Sequence, residues 1–236
     1  MYSRVRKEPK YAIGQRIEGY LGDEWLPGRV TDHNRDGSFG VRFDDGHEMG
    51  DMTEYELRYM EDEVLVAAAK ERDRLLQLHT ALRHAANHGH VEEAEVLMTT
   101  GEGIDVNNKD GSGWSALAWA CKMGRLDVAR YLLSVGADID STDKNLDTPL
   151  MWACRKNQIE VVDFLVVANA FVDNVNELGW TALMEASVRG YNECLSILLH
   201  KKARTDFQNN EGKTAGDIAK TSTTLGLIKA ADGEYY

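Results

Sequence analysis

The second half of the chain repeats one phrase at a nearly fixed period. The near-copies open at Thr80, Ser115, Thr148, Thr181 and Thr214, which are spaced by 35, 33, 33 and 33 residues. A period of this length is typical of a stack of one supersecondary unit, because each unit can bury its apolar face only against a neighbour. The pattern therefore predicts a binding surface rather than a catalytic pocket.

Each copy has the features of two short helices. A Thr or Ser stands before Ala or Pro, and its hydroxyl can cap a helix that begins there. Pro149 suits the first position of such a helix, because the N–H that proline lacks makes no hydrogen bond within the helix at that position. Gly89, Gly124 and Gly190 then follow at the place where a residue with positive φ would end the first helix. Asn157 fills this place in the third copy, and asparagine tolerates that geometry better than most residues. Paired apolar residues at helical spacing predict the second helix.

These phrases resemble ankyrin repeats. The segments DTPLMWACRKNQIEVVDFLV and GWTALMEASVRGYNECLSILL carry the opening of that family, and the resemblance covers about residues 76–230. It implies an α-solenoid of five ankyrin repeats over residues 80–230, with the last repeat acting as a polar cap. The expected repeats are 80–110, 111–143, 144–176, 177–209 and 210–230.

Residues 11–60 have a different pattern. Apolar and polar residues alternate over four or five short segments, which are separated by turn signals such as RDGS and DDGH. This predicts short antiparallel strands, and a small closed barrel, because an open sheet of this size would leave its edges unpaired. The order of the segments resembles the Tudor-like group of SH3-like barrels. The chain is thus predicted to be multidomain, with a small all-β barrel followed by an α-solenoid.

The Tudor-like resemblance raises the question of a methyl-cation cage. Tudor domains that bind methylated lysine or arginine surround the cation with aromatic rings. The resemblance places Tyr20 and Phe43 at or near cage positions, and Asp45 could add a polar wall. Leu26 stands where another aromatic residue is expected, so the cage is at best half built. A methylated-peptide reader and a purely architectural barrel both remain open.

Residues 61–79 predict a helix between the two patterns. Acidic residues at 61–63 come before Lys70 and Arg72, which is the order that a helix dipole favours, and residues 67–69 are alanines. No Pro, Gly or Ser interrupts this segment. We expect it to cap the stack and to join the two domains semi-rigidly.

The predicted stack suggests a groove that binds a protein. By similarity to other ankyrin stacks, the turn tips and the exposed ends of the first helices line the concave surface. The residues at these places are Trp114, Lys122, Met123, Asp147, Arg155, Lys156, Trp180, Val188, Arg189 and Tyr191. They form a basic stripe with aromatic tips, which predicts a protein partner with an acidic or extended segment. The alternative is that they only solvate helix ends and pack the turns.

Composition argues against two classes of partner. The chain has 27 basic and 39 acidic residues, a net charge of −12, without the concentrated basic face that nucleic-acid binding needs. No apolar run approaches the ~20 residues of a membrane span. The first residues lack the apolar core of a signal peptide, so we expect a cytoplasmic or nuclear protein with reduced cysteines.

No catalytic, metal or cofactor site is predicted. His79, His84, His88 and His90 lie close together in the sequence, and His84 and His88 have the i,i+4 spacing of a helical metal pair. No carboxylate or cysteine supplies a third ligand at the usual spacing, so structural roles are favoured. No candidate nucleophile stands outside the repeat pattern. We interpret the chain as a non-enzymatic adaptor, with a methyl-residue reader and a fixed subunit of a large assembly as alternatives.

Overall fold

The computed structural model describes residues 16–21, 24–33, 38–44, 48–52, 57–59 and 63–233, with side chains at 29–31, 38–44 and 70–233. The chain divides into two compact units, Met1–Asp73 and Arg74–Tyr236. No helix among the described residues has the length and apolar character needed to cross a membrane.

The first unit contains an antiparallel sheet of five strands. They are β1 Arg16–Leu21, β2 Glu24–His33, β3 Phe39–Phe43, β4 Glu48–Met52 and β5 Leu57–Tyr59, and their order in the sheet is β4-β3-β2-β1-β5. Phe39, Val41 and Phe43 are buried and alternate with exposed Arg42, as expected for a strand with one covered face. In the described part of the sheet β4 and β5 are its two edges, so the closed Tudor-like barrel stays a prediction.

The first helix, α1, is longer than the sequence pattern predicts. It runs from Glu63 to His88, whereas the sequence pattern predicts a helix that ends near residue 79 and a new one at Thr80. Thr80 lies inside α1, and its hydroxyl donates to the carbonyl of Leu76 at 2.8 Å instead of capping a helix. No Pro or Gly stands within α1. The helix therefore continues until Gly89, whose φ is +86°.

The second unit continues with further helices, most of which form pairs along the chain. They are α2 Val91–Thr100, α3 Ala116–Lys122, α4 Leu126–Ser134, α5 Pro149–Arg155, α6 Ile159–Val167, α7 Ala182–Arg189, α8 Asn192–His200 and α9 Ser222–Ala231. The first helices of successive pairs pack on each other, α3 on α5 and α5 on α7. The second helices do the same, α2 on α4, α4 on α6, α6 on α8 and α8 on α9. This arrangement is a helical solenoid, as the period predicts.

Local sequence explains where these helices begin and end. The side chains of Ser115, Thr148 and Thr181 each accept a hydrogen bond from the main-chain amide three residues later, which confirms the predicted caps. Gly124 and Asn157 have φ values of +70° and +58° after α3 and α5. The predicted exchange of glycine for asparagine is confirmed, because both residues adopt the left-handed region that ends a helix.

The stack is held together by one apolar core that extends from Leu82 in α1 to Ile228 in α9. Leu132, Leu165 and Leu198 stand at the same place in three second helices and have no exposed surface. The three cysteines are free and buried in this core. Burial raises the pKa of the Cys194 thiol to about 11, so the thiol is inert at neutral pH.

We expect Leu165→Ala to lower the free energy of unfolding by about 2–5 kcal/mol, because its side chain is completely buried and its loss leaves a cavity. The control is Val167→Ala in the same helix, whose side chain is 70% exposed and whose loss should cost less than about 0.5 kcal/mol. Urea unfolding followed by circular dichroism measures both changes. Equal losses in the two variants would contradict this core.

Candidate protein-binding groove

The turn tips of the solenoid are built on one residue that recurs every 33 positions. These residues are Asp110, Asp143, Asn176 and Asn209. In each case Oδ1 accepts hydrogen bonds from two main-chain amides, two and four residues later. The second of these amides belongs to Trp114, Asp147, Trp180 or Lys213. The tip residues predicted to line the groove are therefore held by a repeated side-chain turn.

The remaining polar atom explains the choice between Asp and Asn at the first three of these turn residues. Asp110 Oδ2 accepts from the indole NH of Trp119 at 3.4 Å, and Asp143 Oδ2 accepts from that of Trp152 at 3.1 Å. Asn176 instead donates from Nδ2 to Asp147 Oδ1 at 2.7 Å. In these three turns a carboxylate stands where the neighbour is a donor, and an amide stands where it is an acceptor. Burial alone would raise the pKa of Asp110, but its amide and indole donors lower it overall.

Three tryptophans and one lysine form a cluster at the first two tips. The ring centroid of Trp114 lies 4.7 Å from that of Trp119 and 4.3 Å from that of Trp152. Lys122 Nζ lies 4.4, 4.7 and 5.2 Å from the centroids of Trp114, Trp119 and Trp152. Burial, followed by the charges of Lys156 and Arg155, lowers the pKa of Lys122. Lys122 is thus engaged in cation–π contacts rather than free on the surface.

A network of four charged side chains lies beside this cluster. Arg155 makes a bidentate pair with Asp147, at 2.9 Å from Nη1 to Oδ2 and 2.8 Å from Nη2 to Oδ1. Its Nη2 also donates to Glu185, and Glu185 accepts from Nη1 of Arg189. Asp147 and Glu185 are both 3% exposed. Burial alone would lower the pKa of Arg155, but these carboxylates raise it above its usual value.

The guanidinium of Arg155 is thus not a free surface charge. Besides its carboxylate partners, it lies over the ring of Trp152, at 4.2 Å from the centroid. The sequence pattern treats Arg155 and Lys122 as exposed members of a basic stripe, and the structure shows both of them engaged with neighbours. The period did not reveal this, because it places residues without telling which side chains face each other.

The charge network opens into a hollow of about 520 Å³. It is lined by Asn145, Asp147, Arg155, Asn176, Glu177, Leu178, Trp180, Glu185 and Arg189. Asp147, Arg155, Trp180 and Arg189 among these were predicted from the repeat. Leu178 and Glu185 were missed, although Glu185 stands 33 residues after Trp152 and breaks a run of tryptophans at that place. Leu178 is 63% exposed, so it offers an apolar contact at the edge of the hollow.

The other predicted groove residues differ in exposure. Met123 and Lys156 are exposed, whereas Val188 and Tyr191 are half-buried. Tyr191 packs against the apolar core, and Trp114 is buried in the cluster with Lys122. Their role in binding stays a prediction.

The predicted methyl-cation cage is only partly within the described side chains. Phe43 is 2% exposed, so its ring packs in the sheet rather than facing solvent. Tyr20 is paired with Trp25 in the ladder between β1 and β2, but its side chain lies outside the described ones. Asp45 lies outside the described residues. The cage therefore stays a prediction.

We expect Arg155→Met to lower the free energy of unfolding by about 3–5 kcal/mol, because it leaves the buried carboxylates of Asp147 and Glu185 without their shared cation. The adjacent Lys156→Met removes an exposed charge and should cost less than about 0.5 kcal/mol. Urea unfolding of the two variants gives the comparison. A loss below about 1 kcal/mol for Arg155→Met would show that the network does not stabilise the fold.

Comparison with known proteins agrees with this architecture. The family model described as ankyrin repeats (3 copies) matches residues 62–143 and 135–211. The chain is 41% identical over 57 residues to protein phosphatase 1 regulatory subunit 27 of Homo sapiens, which is 24% of this chain and 36% of that protein. It is 42% identical over 57 residues to ankyrin repeat domain-containing protein 40 of Mus musculus, with 24% and 15% covered. The match thus spans about a third of the length of the first relative and less of the second. The solenoid, its capped helix pairs and the family match together show that the chain belongs to the ankyrin-repeat family.

Proposed function

We propose that the chain is a non-enzymatic adaptor that binds an extended segment of a protein partner in its ankyrin groove. The observation that carries this proposal is the hollow of about 520 Å³, where exposed Leu178 and half-buried Trp180 stand beside Arg189. Tryptophan and arginine are the residue types most often found at the energetic centres of protein interfaces. The hollow offers them together on a rigid base of stacked helices.

The chemistry of the hollow favours an apolar side chain flanked by a carboxylate. Leu178 and Trp180 provide the apolar wall. The side chain of Arg189 is one third exposed, and its hydrogen bonds to Glu185 in the described structure come from Nη1. The other guanidinium nitrogens of Arg189 can therefore donate to an acidic group of the partner. Lys156, which is exposed and directly follows the last residue of α5, adds a second positive charge.

Charge complementarity makes a smaller contribution than the sequence pattern indicates. Arg155 is paired with two carboxylates and Lys122 is held by three rings, so neither is free to attract an acidic segment. We therefore expect binding to depend mainly on the apolar contact, with a moderate dependence on salt.

The relatives support an adaptor without naming its partner. One of them is a regulatory subunit by its printed name, a role in which catalysis belongs to another protein. The similarity covers 57 residues, so it supports the class of function rather than a particular phosphatase partner. We propose that the chain acts in the cytoplasm or nucleus, where its three buried thiols would stay reduced.

For the first unit, we propose a Tudor-like barrel that serves as an architectural or second interaction module. The buried side chains of Val30, Phe39, Val41 and Phe43 support it, because they give the sheet an apolar face to enclose. The burial of Phe43 favours packing over the alternative of a methyl-lysine or methyl-arginine reader, since a cage needs open rings.

The groove proposal can be tested with random peptides displayed on phage and selected on the whole chain. We expect enriched peptides to carry an aromatic or aliphatic residue close to Asp or Glu. Leu178→Ser and Arg189→Gln should each weaken binding of a selected peptide about tenfold, or about 1.4 kcal/mol. The control is Phe171→Ser, which removes a 57% exposed ring outside the hollow. The groove proposal would be refuted if the selected peptides bound both variants as tightly as they bind the unchanged protein.

The role of Phe43 can be tested by calorimetry. We expect Phe43→Ala to cost about 3–5 kcal/mol in the free energy of unfolding of the first unit, because a buried ring is lost. The unchanged chain should show no preference for trimethyl-lysine or dimethyl-arginine peptides over unmodified ones. A gain of tenfold or more on methylation, about 1.4 kcal/mol, would make the reader function primary.

A further inference from the structure

A cluster of metal-ligating side chains lies at the turn between α1 and α2, outside the hollow of the groove. His84, His90 and Glu93 are exposed, and each offers one ligand atom such that these atoms all lie within 4.8 Å of one another. His90 Nδ1 is 3.1 Å from Glu93 Oε2. The carboxylate that the sequence pattern failed to supply as a third ligand is therefore Glu93, in the first turn of α2.

A third histidine, His88, stands beside these three residues. The ring centroid of His88 lies 4.1 Å from that of His84 and 5.7 Å from that of His90. His88 Nδ1 is 2.9 Å from the main-chain carbonyl of His84, which can only accept a hydrogen bond. Asn87 Nδ2, which can only donate, lies 3.4 Å from the same Nδ1. The ring of His88 thus packs beside those of His84 and His90, while the ligand atoms that lie within 4.8 Å of one another belong to His84, His90 and Glu93.

The main chain holds these side chains together. Gly89 has a φ of +86°, which turns the chain sharply after α1. The amides of Gly89 and His90 both donate to the carbonyl of Ala85, each at 2.9 Å. His84 and Glu93 lie on the helices on either side of this turn. The candidate ligands thus come from hydrogen-bonded helix ends rather than from a loose loop.

We propose that His84, His90 and Glu93 bind a divalent transition metal ion, with the remaining position open to water, and that Zn²⁺ is the ion that fits best. Imidazole nitrogens with one carboxylate suit zinc and its neighbours, whereas Mg²⁺ and Ca²⁺ prefer oxygen ligands. Zinc holds such ligands at about 2.0–2.2 Å. Ligand atoms that already lie within 4.8 Å of one another need only small side-chain rotations to meet one ion.

A bound ion would join the end of α1 to the start of α2. In the described structure this pair is the first of the solenoid, so its helices pack on a following repeat but on no earlier one. A metal would add a link across the turn that a terminal repeat otherwise lacks, and it would stabilise the folded state by mass action.

The test is calorimetric titration of the untagged, metal-free full chain with Zn²⁺, together with visible absorption of the Co²⁺ complex. We expect one ion per chain, with an absorption spectrum typical of tetrahedral nitrogen and oxygen ligands. His84→Ala and Glu93→Gln should each weaken Zn²⁺ binding at least about tenfold. The controls are Glu92→Gln and His200→Ala, exposed residues of the same types outside the cluster.

Thermal melts keep the test clear of folding effects. Zn²⁺ should raise the melting temperature of the unchanged chain and of the two controls, but not that of His84→Ala or Glu93→Gln. Excess Mg²⁺ should neither raise it nor compete. The proposal is overturned if the unchanged chain binds no Zn²⁺, or if His84→Ala and Glu93→Gln bind it as tightly as the controls do.

Discussion

Stacking of each helix pair on the next is the interaction on which this solenoid depends. A pair of short helices cannot enclose a core alone, so Leu132, Leu165 and Leu198 are buried only because neighbouring pairs cover them. The same packing fixes the spacing of the turns. Packing of the core therefore brings the side chains of the turn tips together, although most of them lie outside that core.

Stacking of the helix pairs sets the geometry of the groove, while hydrogen bonds and ion pairs fix the positions of its polar side chains. The turn residues Asp110, Asp143 and Asn176 position the tips through pairs of main-chain amides. Arg155 then neutralises Asp147 and shares Glu185 with Arg189. Buried charges of this kind fix the arrangement of a surface, because each one must keep its partner. We therefore expect the proposed groove to be preorganised, which lowers the entropy that binding of a partner must overcome.

The sequence predicts the solenoid well, because period, capping residues and glycine positions are local or repeating signals. Thr148, Asn157 and Gly190 behave as their residue types indicate. The end of α1 was predicted wrongly, because a Thr before Ala caps a helix only where a helix begins. Thr80 lies inside α1, and its hydroxyl donates a hydrogen bond to the carbonyl of Leu76 one turn earlier.

The site was predicted less well than the fold, for a physical reason. The period predicts that Lys122 and Arg155 lie along the groove, but it does not predict that rings contact Lys122 and that carboxylates pair with Arg155. Glu93 was overlooked as a neighbour of His84, because the turn at Gly89 reverses the chain direction. Such pairings depend on side-chain contacts between elements, which no spacing within one sequence encodes.

The matching of turn residue to helix residue has a consequence for how these repeats can diverge. Asp143 and Trp152, nine positions apart, hold each other through one hydrogen bond, as do Asp110 and Trp119. Where the helix carries Glu185 instead, the turn carries Asn176, because a third carboxylate there would repel the two already present. Changing Asp143 or Trp152 alone leaves a part-buried polar group of the other residue unpaired, which costs about 1 kcal/mol. The turn position and the helix position are therefore coupled, and we expect descendants of this sequence to change both residues together.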